Sequence, residues 1–134
     1  ENWELLMAGF SDYLEDELLD HVFGNAAYTS PATVYAALYT AAPSDAGGGT
    51  EVTGGSYART AISFGAASSG SVTNDTAVEF PAATAGWGTV THVGIFDAST
   101  SGNLLAWVAL DNSKTVDTGD QLRFSIGTLT VSLD

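Results

Sequence analysis

Apolar and polar positions alternate most clearly between Trp87 and Leu110, in WGTVTHVGIFDASTSGNLLAWVAL. In the first run Val93 and Ile95 alternate with His92, Gly94 and Phe96. In the second, Leu105, Trp107 and Ala109 alternate with Leu104, Ala106, Val108 and Leu110. A period of two places successive side chains on opposite faces of a sheet, so both runs read as strands. The second is apolar on both faces, which predicts a central strand covered on both sides. The connection from Ala98 to Asn103 is polar, and its Ser101-Gly102-Asn103 suits a tight turn. The pair is predicted to be the core hairpin of an all-β domain.

The same period recurs along the chain. Thr33–Thr40 places Val34, Ala36 and Leu38 on one face and Tyr35, Ala37 and Tyr39 on the other. Tyr57–Phe64 places Ala58, Thr60, Ile62 and Phe64 together. Thr76–Phe80, ended by Pro81, is a short strand, and so is Ser113–Val116. Gln121–Ile126 and Thr128–Leu133 close the chain, with Leu129, Val131 and Leu133 on one face of the last. Residues 41–56 are a long loop with five glycines, expected to be mobile or to make contacts. Residues 65–75 are a Ser/Gly/Asn turn region. Seven to eight closely spaced strands predict an antiparallel β-sandwich, jelly-roll-like, and no internal repeat suggests a solenoid or propeller.

One segment has the helical period instead. Residues 11–23 carry an apolar stripe of Leu14, Leu18, Leu19, Val22 and Phe23. Ser11 is a suitable N-cap, and Asp12, Glu15 and Asp16 sit in the first turn, where the helix dipole favours negative charge. Gly24 is expected to end the helix in a left-handed conformation. The opposite face, Glu15, Asp16 and Asp20, is acidic. The stripe is expected to pack on the sheet or on a partner subunit. The chain thus divides into an N-terminal extension (1–9), the helix (10–24) and the β domain (25–134). Residues 1–9, ENWELLMAG, do not fit the pattern. Either Met7 is the natural start and ENWELL an added or upstream extension, or Trp3, Leu5 and Leu6 dock on a neighbour.

Charge narrows the function. Sixteen Asp and Glu face three basic residues, Arg59, Lys114 and Arg123, for a formal net charge of −13. No basic stripe exists to neutralise phosphates, so neither nucleic acid nor anionic membrane is an expected partner. Free copies should repel one another. Without cysteine, thiolate chemistry and disulfides are excluded. No hydrophobic run approaches the length of a membrane span. Only 14% of residues are charged, while small neutral residues abound. Such a surface loses little side-chain entropy when another subunit covers it, which favours an assembly component.

Candidate chemistry is sparse. Asp117-Thr118-Gly119 matches the aspartic-protease tripeptide but occurs once. With Asp120 after it, the segment reads better as a type I turn between strands. His92, Asp97 and one of many serines make a triad only on paper, since no nucleophile elbow is present. His21 and His92 lack metal spacing, and His21 suits the end of the helix as a cation. Asp75, Glu79, Asp97, Asp111, Asp117 and Asp120 form no calcium-loop ladder. Tyr28, Tyr35, Tyr39, Tyr57, Trp87 and Trp107 could build a sugar platform, although alternating aromatics are more often core. No catalytic residue, cofactor or metal ligand is assigned.

From Phe10 onward the chain resembles a family of small bacteriophage proteins usually called tail fibre proteins, which are virion structural components. The resemblance rests on FSDYLEDELLDHVFGNAAYTSPATVYAALYT (Phe10 to Thr40), APSDAGGGTEVTGGSYAR (Ala42 to Arg59), WGTVTHVGIFDASTSGNLLAW (Trp87 to Trp107) and GDQLRF (Gly119 to Phe124). It implies a virion component, on the tail, baseplate or capsid surface, with other virion proteins as partners and no catalytic residues to carry over. Together, resemblance and composition predict a non-enzymatic structural protein acting as a homo-oligomer, a trimer at first guess. Its subunit contacts are expected at Leu14, Leu18, Val22 and Phe23 of the helix and at Gly48, Gly49 and Val52 of the loop. The alternative is a carbohydrate-binding module for host attachment.

Overall fold

The computed structural model describes residues 9–133. Trp3, Leu5, Leu6 and Met7, on which the two readings of the N-terminal segment turn, lie outside them.

The expected hairpin is the centre of the fold. Its strands are β7 (Gly88–Phe96) and β8 (Leu104–Val116). On the other side of β7 runs β2 (Val34–Ala41), antiparallel, with Tyr35 opposite Phe96 and Tyr39 opposite His92. The sheet is completed by β1 (Gly9–Phe10) beside β8, and by β3 (Thr50–Glu51) and β4 (Thr60–Ile62) beside β2. The order β1-β8-β7-β2-β3 makes β7, rather than β8, the central strand. Among the described residues β1 pairs with Trp107 and Ala106, and β7 pairs with β8 on past Trp107.

Two small antiparallel ribbons lie apart from this sheet. One pairs β5 (Ser71–Thr73) with β10 (Thr130–Ser132); the other pairs β6 (Val78–Glu79) with β9 (Arg123–Phe124). Sheet and ribbons share one core. Ala36, Leu38, Ile62, Val93, Ile95, Ala106, Val108 and Leu110 from the sheet meet Val78, Phe80, Leu122, Phe124 and Leu129. Phe80 and Phe124 meet edge to face at 6.1 Å, a favourable geometry for aromatic quadrupoles. The fold is therefore mainly β and antiparallel, with one short helix. Its second layer is a pair of ribbons rather than a full sheet. Buried Asn74 binds them together: its amide nitrogen donates to the carbonyls of Thr76 and Ser125, and its Oδ1 accepts from the Leu129 N–H.

The predicted faces of β2 and β7 hold. Ala36, Leu38, Val93 and Ile95 enter the main core, while Ala37, Tyr39 and Phe96 form a second cluster on the opposite face. In β8 the alternation fails at one place. Leu104 joins the second cluster, although its parity groups it with Ala106. The cause is a register shift between the Ile95–Ala106 and Phe96–Leu104 pairs, which inserts Leu105 as an extra residue. A second shift, between Val90–Lys114 and His92–Ala109, sets Leu110 to Ser113 against Thr91; Leu110 stays in the core, and Asp111, Asn112 and Ser113 are exposed. The expected separate strand at Ser113–Val116 is thus the continuation of β8.

Elsewhere the strands are shorter than predicted. Tyr57–Phe64 contributes only β4, Gln121–Ile126 only β9, and Thr128–Leu133 only β10. The turn region contains β5, and the loop of residues 41–56 contains β3. Asp117–Asp120 is a turn, closed by the Asp120 N–H on the Asp117 carbonyl. Gly119 at its third position has φ 90°, so it is type II rather than type I.

The helix α1 runs from Asp12 to Val22. Ser11 caps it as expected, accepting from the Leu14 N–H. Its exit differs from expectation: Asn25, at φ 56°, takes the left-handed position, not Gly24. Gly24 serves another need, since a Cβ there would lie 2.9 Å from the Asp20 carbonyl oxygen. That oxygen accepts from the Ala26 N–H as the chain turns back.

Candidate functional site

Polar bonds, not the apolar stripe, fasten α1. The buried Ser11 donates its N–H to the Leu105 carbonyl and its hydroxyl to the Leu104 carbonyl. The next N–H, of Asp12, donates to the Asp45 carbonyl. Asp45 Oδ1 in turn accepts the indole N–H of Trp107 at 2.8 Å. The first turn is thus tied to β8 and to the Gly-rich loop, and the rest of the helix projects from this anchorage. No residue of α1 is buried. Leu14 and Leu18 are half-buried, whereas Leu19, Val22 and Phe23 are 56%, 62% and 78% exposed.

Beneath the anchored turn lies a cleft of about 540 Å³. Tyr39, Phe96 and Leu104 of the second cluster line it together with Tyr13 of α1. The Tyr39 and Phe96 rings are near-parallel, 6.4 Å apart. Gly94 makes this possible, because a Cβ there would come within 2.9 Å of Tyr39 Cε1. Asp12, Asp45, Gly47, Gly48 and Asn103 are on the walls. The local field is negative: the Tyr13 hydroxyl is held above its ordinary pKa by desolvation, and further by Glu17 and Asp97.

The hairpin tip beside the cleft is locked from within. Asp97 accepts from the Asn103 N–H and side-chain amide at 2.7 and 2.9 Å. Arg59 reaches across from the start of β4. It donates to both Glu51 oxygens, at 2.9 and 2.8 Å, and to the Ala98 and Ser101 carbonyls. Its guanidinium lies 3.6 Å from the Phe96 ring centroid. Tyr57 donates to Glu51 and accepts from the Leu38 N–H. Burial pushes the Tyr57 hydroxyl well above its ordinary pKa. Arg59 was visible in the sequence as one of three basic residues among sixteen acids. Its partners, scattered from Glu51 to Ser101, carried no common motif.

The residues expected at subunit contacts divide three ways. Val22 and Phe23 are exposed and Leu14 and Leu18 half-exposed at the helix surface, while Gly48 and Gly49 are exposed in the loop. Val52 is 4% exposed and belongs to the main core, its N–H bonded to the Leu38 carbonyl. It is therefore removed from the contact set: a small apolar residue following two strand residues packs inward. The loop is tied to α1 and β8 through Asp45 and braced internally by paired backbone bonds between Ser44 and Gly47.

The other candidates are dispersed. His92 Nδ1 lies 2.7 Å from the Thr91 hydroxyl, and burial lowers its pKa. Asp97 serves Asn103, and Asp117 and Asp120 serve their own turn. Among the described residues no three His, Cys, Asp or Glu side chains gather around a common point. Four of the six aromatics weighed as a platform divide between two cores. Trp87 and Tyr57 pack at the main core, and Tyr39 and Trp107 at the second cluster. His21 Nδ1 lies within bonding distance of the Ala26 carbonyl and the Tyr28 N–H, at the exposed end of α1.

A small, acidic, antiparallel β domain carrying a surface-anchored helix is the class of protein these features define. Residues 9–132 match the family model described as Podophage GP4 fiber I protein gp80. The chain belongs to this family of phage fibre proteins, and its place is the virion. No curated protein matches it significantly.

Proposed function

We propose that this chain is a non-enzymatic fibre component that works by self-association, as a trimer first, and by docking to other virion proteins. The exposed C-terminal half of α1 carries this reading. Leu19, Val22 and Phe23 form an exposed apolar end on a helix whose first turn carries its backbone bonds to β8 and the Gly-rich loop. Apolar surface of this kind gains about 25 cal/mol per Å² when a neighbour covers it. Leu14, Leu18, Gly48 and Gly49 lie at the surface to extend the contact, whereas Val52 does not take part.

The test is light scattering on the whole chain beside a Val22→Asp/Phe23→Asp variant. The parent is expected at trimer mass and the variant at monomer mass, with far-UV circular dichroism unchanged because both residues are exposed. A monomeric parent at every accessible concentration would refute self-association. Equal masses above monomer would move the contact away from α1.

A further inference from the structure

The cleft under the first turn of α1 has a lining that burial of the helix end leaves unused. Its floor is apolar: Tyr39, Phe96 and Leu104 are 4%, 8% and 8% exposed. Tyr13 stands on the wall as the more accessible aromatic. The two lining residues with formal charge, Asp12 and Asp45, are both acids. Asp45 is fixed through Oδ1 by the Trp107 indole, and its Oδ2 meets no donor among the described residues. The Asp12 carboxylate is likewise without a donor among them.

A long side chain with an apolar stem and a planar cationic head matches this lining. A guanidinium would donate to the carboxylates beside the Tyr13 ring, and its narrow stem needs only the strip of floor left exposed. The fold already uses this chemistry once, where Arg59 spans the Phe96 ring and the Glu51 carboxylate. A pyranose suits the site less well. Stacking needs an open ring face, and the floor rings are nearly covered.

We propose that the cleft receives an arginine side chain presented by a different virion protein. This rests on the reading that the chain docks to other virion proteins, and it names the chemistry of one such partner. A second copy is a poor donor. It brings sixteen carboxylates for three basic residues, and each of these is engaged at home: Arg59 with Glu51, Arg123 with Glu79, and Lys114 in an interaction of its own.

The probe is the blocked peptide acetyl-Gly-Arg-Gly-amide, with its citrulline counterpart and methyl glucoside as comparisons. Each is titrated into the ¹⁵N-labelled whole chain while the Gly47, Gly48, Gly102 and Asn103 amides are followed. The arginine peptide should shift these signals with an affinity about tenfold above the citrulline peptide, the size expected for one desolvated cation contact. Asp12→Asn should weaken it by a similar factor, and this variant keeps the backbone bond that anchors the turn. Equal binding of arginine and citrulline, shifts confined to another surface, binding of methyl glucoside alone, or no shift would each overturn the proposal. The mass of the same samples is read separately. A trimer that ignores arginine refutes this inference alone, and a monomer that binds it refutes self-association alone.

Discussion

At the scale of single residues, the hydroxyls around the second cluster set the alkaline limit of the fold. Tyr39 is 4% exposed, and burial pushes its pKa up to about 12, with Glu51 adding to the rise and Arg59 opposing it. The folded form therefore keeps a proton that an unfolded tyrosine releases near pH 10. The stabilisation is fully present below pH 10 and is lost as pH rises toward 12. Its upper bound is about 2–3 kcal/mol for a two-unit shift. Tyr57, also raised by burial, extends the loss further upward. In urea titrations between pH 8 and 12, Tyr39→Phe should leave stability near pH 8 little changed and flatten the decline above pH 10. An unaltered alkaline slope would show that Tyr39 ionises as freely as an exposed phenol. The phenylalanine retains the stacking with Phe96, so the comparison isolates the hydroxyl.

At the scale of elements, Ser11 decides whether α1 belongs to the domain. One side chain caps the helix through the Leu14 N–H and holds the Leu104 carbonyl from a site that is 1% exposed. Ser11→Ala removes both bonds and leaves a buried acceptor on β8. The expected cost is about 2–3 kcal/mol, a lost cap plus an unsatisfied carbonyl. Chemical denaturation reads the cost, and faster amide exchange through α1 reads its release from β8. A loss below about 0.5 kcal/mol would mean that the apolar stripe, not the cap, holds the helix. The cap was legible in the sequence because a capping serine, an acidic first turn and a helical stripe occupy fixed local offsets. So were the faces of β2 and of β7 from His92 to Phe96, where alternation runs unbroken. Alternation overran β6, β9 and β10, and it could not reveal β3 and β5, which are two or three residues long and complete no period. Nor could it reveal the Leu105 shift, since an apolar residue fits either face. The cleft was invisible for a related reason: Asp12, Asp45 and Asn103 meet only because the anchored turn brings three distant segments together.

At the scale of the whole molecule, charge and apolar burial act in opposite directions, and salt separates them. With a formal charge of −13, each copy repels the next, and the acidic flank of α1 at Glu15, Asp16 and Asp20 lies beside the apolar end proposed for contact. Screening shortens the reach of that repulsion from about 10 Å at 0.1 M salt to about 3 Å at 1 M. The apolar contact is not weakened by the same change. Self-association should therefore tighten as sodium chloride rises from 0.05 to 0.5 M, seen by sedimentation velocity as a midpoint moving to lower protein concentration. The arginine contact depends on attraction between opposite charges, so its affinity should fall over the same range. Opposite signs in one salt series would assign the two surfaces to different partners. If association also weakened with salt, the copies would be held by ion pairs. With three basic residues per chain to supply them, the contact would then have to lie at Arg59, Lys114 or Arg123 rather than at Val22 and Phe23.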